Sequence, residues 1–69
     1  MRWSGEKMAK RMAVKKLSAL LVADALRVHP DSVANWLDGT EPRASSRFAL
    51  AELLGVKVGT LYAPKEKAG

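Results

Sequence analysis

Two apolar stripes, on helices joined by only three residues, constrain this chain more than any other feature. Val22, Ala23 and Leu26 recur at three- and four-residue spacing, and so do Val33, Trp36 and Leu37. Each set makes one buried face of an α-helix. With the latter helix starting at Pro30, only Arg27, Val28 and His29 separate the two helices. So short a connection forces the helices to pack at a steep angle, the arrangement of a helix-turn-helix unit.

Start and stop signals divide the rest of the chain. Ser4 is placed to cap a first helix running to about Lys16, with Glu6 in its first turn and Lys15 and Lys16 in its last, both suited to the helix dipole. Met8 and Met12, with Ala9, give it an apolar stripe. Ser18 caps a second helix ending at Leu26. A third runs from about Pro30, at the first helical position with His29 as its cap, to Asp38. Gly39 is placed to end it in a left-handed conformation. After the turn-rich "TEPRASS" a fourth helix covers about Ser45 to Leu54, closed by Gly55. "VKVGTLYA" reads as a last helical turn and "PKEKAG" as a frayed tail. No strand-like alternation is present. The expectation is an all-α fold of five short helices, a domain over 1–62 and a flexible tail over 63–69.

Sixty-nine residues make one domain, small enough to need an economical helical core or a partner's help. The absence of cysteine excludes a disulfide framework and a thiolate metal site, and a cytoplasmic setting fits best. No apolar run approaches the ~20 residues that span a bilayer, and no signal-peptide pattern opens the chain. The net charge is +5, but residues 1–16 hold +5, residues 17–56 hold −2 and residues 57–69 hold +2. The ends are basic and the middle mildly acidic.

The stretch "LSALLVADALRVHPDSVANWLDGTEPR…ALAELLGVKVGTLY" resembles the phage-repressor and Cro-like helix-turn-helix proteins, the xenobiotic-response-element family. The match is carried by the Leu-Ser opening, Ala23 inside the second helix, Val28 in the turn, Val33, Trp36 and Gly39. Pro42-Arg43, Ala51, Leu54-Gly55-Val56 and Leu61 continue it. It covers about Glu6 to Tyr62. The resemblance implies a compact, lambda-repressor-like DNA-binding domain with its helix-turn-helix at helices 2 and 3. It further implies a sequence-specific transcriptional regulator of the Cro or repressor type, acting as a homodimer on a near-palindromic double-stranded operator. Six positions depart from that pattern. Arg27 stands where Gly is usual in the turn, and Ala19 where a phosphate-holding Gln is frequent. Leu20 and Leu21 stand at positions that are usually polar. Met12 and Leu37 replace a frequent Arg–Glu pair, an apolar exchange that need not cost stability.

With Val33, Trp36 and Leu37 inward, the exposed side of the third helix carries Asp31, Ser32, Asn35 and Asp38. Asp31, Ser32 and Asn35 are the candidates for reading base edges: Asn suits adenine, Ser a base edge or phosphate, and Asp can accept from cytosine N4. Asp31 also has a purely structural explanation, since a carboxylate in a first turn stabilises its helix. Two carboxylates work against a polyanion. The backbone-contacting candidates are Lys15, Lys16, Thr40, Arg43 and Ser45, the last two forming an anion site beside the fourth helix's N-terminus. Lys7, Lys10 and Arg11 read as a solvated face or as compensation for a partner's acid. Val58, Leu61 and Tyr62 are the candidate dimer interface. The alternative for Leu61 is that it closes the monomer's own core.

His29-Pro30-Asp31 matches the signature tripeptide of J-domain co-chaperones, but the likeness stops there. Those proteins place a strongly basic helix before it, where "LSALLVADALRV" holds one Arg and one Asp. His29 lacks partners for metal or base chemistry, being the sole His in a chain without Cys. No catalytic residue, metal or cofactor is expected. A rival function uses the same fold as a protein-interaction module, an antitoxin or a regulator's partner domain. Its support is the acidic middle segment, Ala19, and the Leu20/Leu21 pair as a partner surface.

Overall fold

The computed structural model describes residues 2–63. In chain order it contains strand β1 (Arg2–Trp3), helices α1 (Gly5–Lys15), α2 (Ala19–Leu26), α3 (Pro30–Leu37) and α4 (Ala44–Leu54), a 3-10 turn (Val58–Leu61) and strand β2 (Tyr62–Ala63). The molecule is mostly helical.

Three of the four α-helices begin on the caps their sequences announce. Ser4 accepts from the amide of Lys7 at 3.1 Å, and Ser18 from that of Leu21 at 3.2 Å. His29 Nδ1 accepts from the Asp31 amide at 3.0 Å, with Pro30 at the first helical position. These bonds satisfy amides that a helix start leaves without an internal partner.

All four helices end the same way. At each C-terminus a residue of positive φ follows the last turn: Lys16 (58°), Arg27 (57°), Gly39 (112°) and Gly55 (72°). The next amide reaches back five residues: Leu17 to Met12 O, Val28 to Ala23 O, Thr40 to Asn35 O and Val56 to Ala51 O, each at 2.8–3.0 Å. This is the Schellman closure. Glycine adopts such a conformation freely, whereas Lys16 and Arg27 hold it against the Cβ penalty.

The core gathers Met8, Met12, Val22, Ala23, Val33, Trp36, Leu50, Ala51, Leu54 and Leu61, with Trp3 closing one side. Leu26 and Leu37 are half-buried against it. The inward faces of α1, α2 and α3 are therefore those the spacing predicts. α2 and α3 make the most extensive helix–helix contact of the fold.

The expectation of an all-α chain is corrected at both ends of the described segment. β1 and β2 pair antiparallel, Arg2 opposite Ala63 and Trp3 opposite Tyr62, and the Ser4 amide donates to Leu61 O at 3.0 Å. Four α-helices and one 3-10 turn replace five helices. Ala63, placed in the tail by sequence, belongs to β2; the remainder of that tail lies outside the described residues. Trp3 anchors the strand pair: its indole Nε1 donates to Trp36 O at 2.8 Å, and its ring meets Tyr62 edge-on at 5.6 Å. Gly5 lets α1 approach α3, because a Cβ there would collide with the Leu37 carbonyl.

Candidate functional site

The residues nominated from sequence fall on three separate surfaces. On α3, Asp31 and Asn35 are exposed and Ser32 is half-buried. The face they share with Asp38 carries two carboxylates and no cation.

A second surface forms where the α2–α3 turn, α3 and the start of α4 meet. It is an open cleft of about 620 Å³, with Leu26, Val28 and Trp36 as its floor and His29, Ser32, Arg43, Ser45 and Ser46 around its rim. Arg43 occupies the N-cap position of α4 without a side-chain cap bond, so α4's first amides stay open to a ligand or solvent. Arg43 and Ser45, paired by the sequence reading, both line the cleft, and Ser32, nominated there with the α3 base-reading residues, joins them. The rim positions of His29 and Ser46 escape a sequence reading, because only the turn geometry places them beside Arg43. Thr40 is exposed, and its amide is used in closing α3.

The third surface is the α1–α2 turn, and Lys15 and Lys16 lie here. Lys15 has an architectural role, since its ammonium reaches within 3.4 Å of where a Gly55 Cβ would stand. That puts a cation at α4's C-terminal end, where the helix dipole favours it. Lys16 supplies the left-handed turn. Around it stand Val14, Leu20 and Leu21, three of the large exposed apolar side chains, at 69%, 66% and 54% exposure. Phe48 on α4 is the fourth.

The candidate dimer residues divide. Leu61 is fully buried, so the protomer's own core covers it, and it cannot line an interface. Val58 and Tyr62 are half-buried. The Tyr62 hydroxyl is held by Glu41, and Arg47 Nη1 donates to it at 2.8 Å and to Glu41 Oε2 at 2.6 Å. The guanidinium also stands 6.0 Å from the Tyr62 ring centroid, at the edge of cation–π range. Bonding from the Tyr62 hydroxyl, then from Arg47, holds the Glu41 carboxyl below its ordinary value. Burial, then the Glu41 bond, pushes the Tyr62 phenol up. The Tyr62 bond, then Glu41, raises the Arg47 guanidinium. This cluster ties the α3–α4 loop to α4 and β2, and its members lie too far apart in sequence to signal one another.

With this geometry in view, comparison with known proteins places the chain. It belongs to the SP15 N-terminal domain family, whose profile matches residues 1–67. Among solved structures it is similar to a point mutant of hydroxyethylphosphonate dioxygenase, at 28% identity and a TM-score of 0.77, over 97% of this chain and 15% of that one. It is similar also to apo-HppE, at 26% identity and a TM-score of 0.81, over 93% of this chain and 38% of that one. The hydroxypropylphosphonic acid epoxidase from S. wedmorenis, in complex with fosfomycin, matches at 26% identity and a TM-score of 0.80, over 93% of this chain and 36% of that one. The chain therefore spans well under half of these proteins. No protein of curated function matches it. No helix among the described residues is long and apolar enough to cross a membrane.

Proposed function

We propose that this chain is the helix-turn-helix module of an enzyme that oxidises small organophosphonates, and that it serves there as a docking element. The observation that carries this reading is the likeness of nearly the whole chain to a portion of hydroxyethylphosphonate dioxygenase, at 28% identity. Two surface features support it. The outer face of α3 is acidic, which opposes entry into a DNA groove, and the α1–α2 turn exposes Val14, Leu20 and Leu21 around one bend. The iron named with HppE finds no ligand set here, because no three His, Cys, Asp or Glu side chains converge among the described residues. Oxidation belongs to the portion of such an enzyme that this chain does not span. The module's part is to pack its apolar turn against that portion or a neighbouring subunit.

The test is a chimera in which this chain replaces the matching segment of the S. wedmorenis epoxidase. The chimera is expected to assemble and turn over like its parent, and Leu20→Asp with Leu21→Asp to break assembly. A double variant that assembles and reacts as well as the unmodified chimera sinks the docking face.

A second reading rests on the cleft. Arg43, Ser45 and the open amides of α4 suit a backbone phosphate, and Asn35 on the exposed side of α3 suits an adenine edge. In that reading the chain is a cytoplasmic Cro-type repressor, dimeric through Val58 and Tyr62 on a near-palindromic operator. Asn35→Ala then costs ~1–3 kcal/mol at one base pair, and Arg43→Ala weakens all sequences alike and flattens the salt dependence by about one counterion. Selection from random duplexes at low salt separates the readings. A single enriched palindrome supports the repressor and overturns the docking module.

A further inference from the structure

A cluster of positive charge lies on α1, reaching the third surface only at Val14. Lys7, Lys10 and Arg11 stand three and four positions apart on α1, which puts them on one helical face. The 3-10 turn packs against α1 and brings Thr60 to that face. Lys7, Lys10, Arg11 and Thr60 together line a depression of about 190 Å³.

Among the described residues, the wall of this depression holds three cations, one hydroxyl and no carboxylate. Among the described residues the ion pairs join Arg47 to Glu41 and His29 to Asp31, so no direct ion pair neutralises these cations, although Glu6 stands one turn before Lys10. Like charges at such spacing destabilise a helix, and a bound anion removes that repulsion. Lys and Arg side chains can line such a depression with their methylene stems while turning their charged heads to a ligand.

We infer that this depression binds a compact tetrahedral dianion, the phosphate or phosphonate group of a small molecule. Three cations match two negative charges with one to spare, where a single carboxylate leaves two uncompensated. Thr60 adds a hydroxyl that can donate to a third oxygen. The shape limits the ligand as well. One turn beyond Arg11 the same face carries exposed Val14, so the cationic run ends too soon to track an extended polyanion. The inference meets the docking turn only at Val14 and needs no partner chain, so its failure leaves the docking reading standing.

The experiment is an NMR titration of the isotope-labelled chain with inorganic phosphate, against sodium chloride at matched ionic strength. Saturable shifts are expected at the amides of Lys7, Lys10, Arg11 and Thr60, with Kd on the order of 1 mM, as befits an exposed, solvated site. Lys10→Gln with Arg11→Gln should weaken binding at least about tenfold, because two of the three cations are gone. Lys16→Gln with Arg27→Gln, removing the same net charge elsewhere, should leave it within about twofold. Both double variants alter exposed side chains, and unchanged melting verifies their folds. Parallel titrations with methylphosphonate and 2-hydroxyethylphosphonate distinguish the sources. Equal affinities assign the site to the oxyanion alone, and tighter binding of the hydroxyethyl compound assigns it to an organophosphonate. Shifts reproduced by chloride, or centred on Arg43 and Ser45, overturn the inference. So does a short DNA duplex that takes the same residues in preference to phosphate.

Discussion

The two turns that bracket α2 share one backbone and present opposite surfaces. Lys16-Leu17-Ser18 and Arg27-Val28-His29 each open with a left-handed cation. Each continues with a half-buried apolar residue whose amide closes the preceding helix, and ends on a side chain that caps the next. Beyond that frame they diverge. The first turn is flanked by exposed Val14, Leu20 and Leu21. The second borders a polar cleft rimmed by His29, Ser32 and Arg43. Identical local geometry therefore says nothing about function here. The flanking residues decide it, and under the proposed docking role they suit the first turn to a protein partner and the second to an anion or to solvent.

The largest effect expected comes from removing the packing beneath the second turn. Trp36 is buried against the core, floors the cleft and offers its carbonyl to Trp3. Trp36→Ala should cost about 3–5 kcal/mol, a large share of what a domain this small has in reserve. Circular dichroism and thermal melting measure it. A cooperative transition near the wild-type Tm would show that α3 does not depend on this anchor.

Next in size is the first turn. Leu20→Asp with Leu21→Asp replaces two exposed side chains, so the isolated chain should keep its stability within ~0.5 kcal/mol for each. In the chimera the same change should weaken assembly by more than about tenfold, or 1.4 kcal/mol. Sedimentation across a concentration series reads the second quantity, and melting of the isolated chain reads the first. A loss of stability without loss of assembly would reverse the roles given to these leucines.

The division between what sequence shows and what it hides follows the range of the interactions. Helix caps are local: Ser4, Ser18 and His29 each bond an amide two or three residues on, so residue type and position suffice to find them. The inward faces of α1 to α3 are legible for the same reason, through three- and four-residue spacing. The strand pair is not, because two residues cannot display an alternation, and Trp3 finds its acceptor 33 positions away. Leu61 looked equally suited to a core or an interface until the 3-10 turn folded it inward. Of the candidate site, Arg43 and Ser45 are foreseeable as neighbours through the family resemblance, whereas the nearness of Ser32 to them depends on how α3 packs against α4. The architectural task of Lys15 depends on α1 ending beside Gly55, which no local pattern announces.

A smaller effect compares the two turns directly. A left-handed non-glycine residue costs roughly 1–2 kcal/mol, while glycine's freedom in the unfolded chain takes back roughly 0.5–1. Arg27→Gly and Lys16→Gly should therefore each stabilise the fold by roughly 0.5–1 kcal/mol. Equal gains in denaturant midpoint would confirm the shared backbone. A gain at Arg27 with a loss at Lys16 would mean that the Lys16 side chain makes contacts worth more than the strain.

The smallest effect tests whether the loop beside the cleft is held independently of both turns. The hydroxyl of Tyr62 and the guanidinium of Arg47 hold the Glu41 carboxyl below its ordinary value of 4.5. A depressed folded-state pKa means that the unfolded chain takes up the proton first. The resulting stability is complete above the unfolded value and is lost as pH falls from about 4.5 through the lower folded value. Because Glu41 is exposed, solvent screens the pair and the loss should be slight. Tyr62→Phe removes the leading cause, so its stability should fall less steeply with acid over the same interval. Thermal melts from pH 7 to pH 3, in roughly half-unit steps through the ordinary carboxylate range, compare the two slopes. Parallel curves would show that Glu41 is anchored by Arg47 alone, leaving Tyr62 free to meet a second copy of the chain.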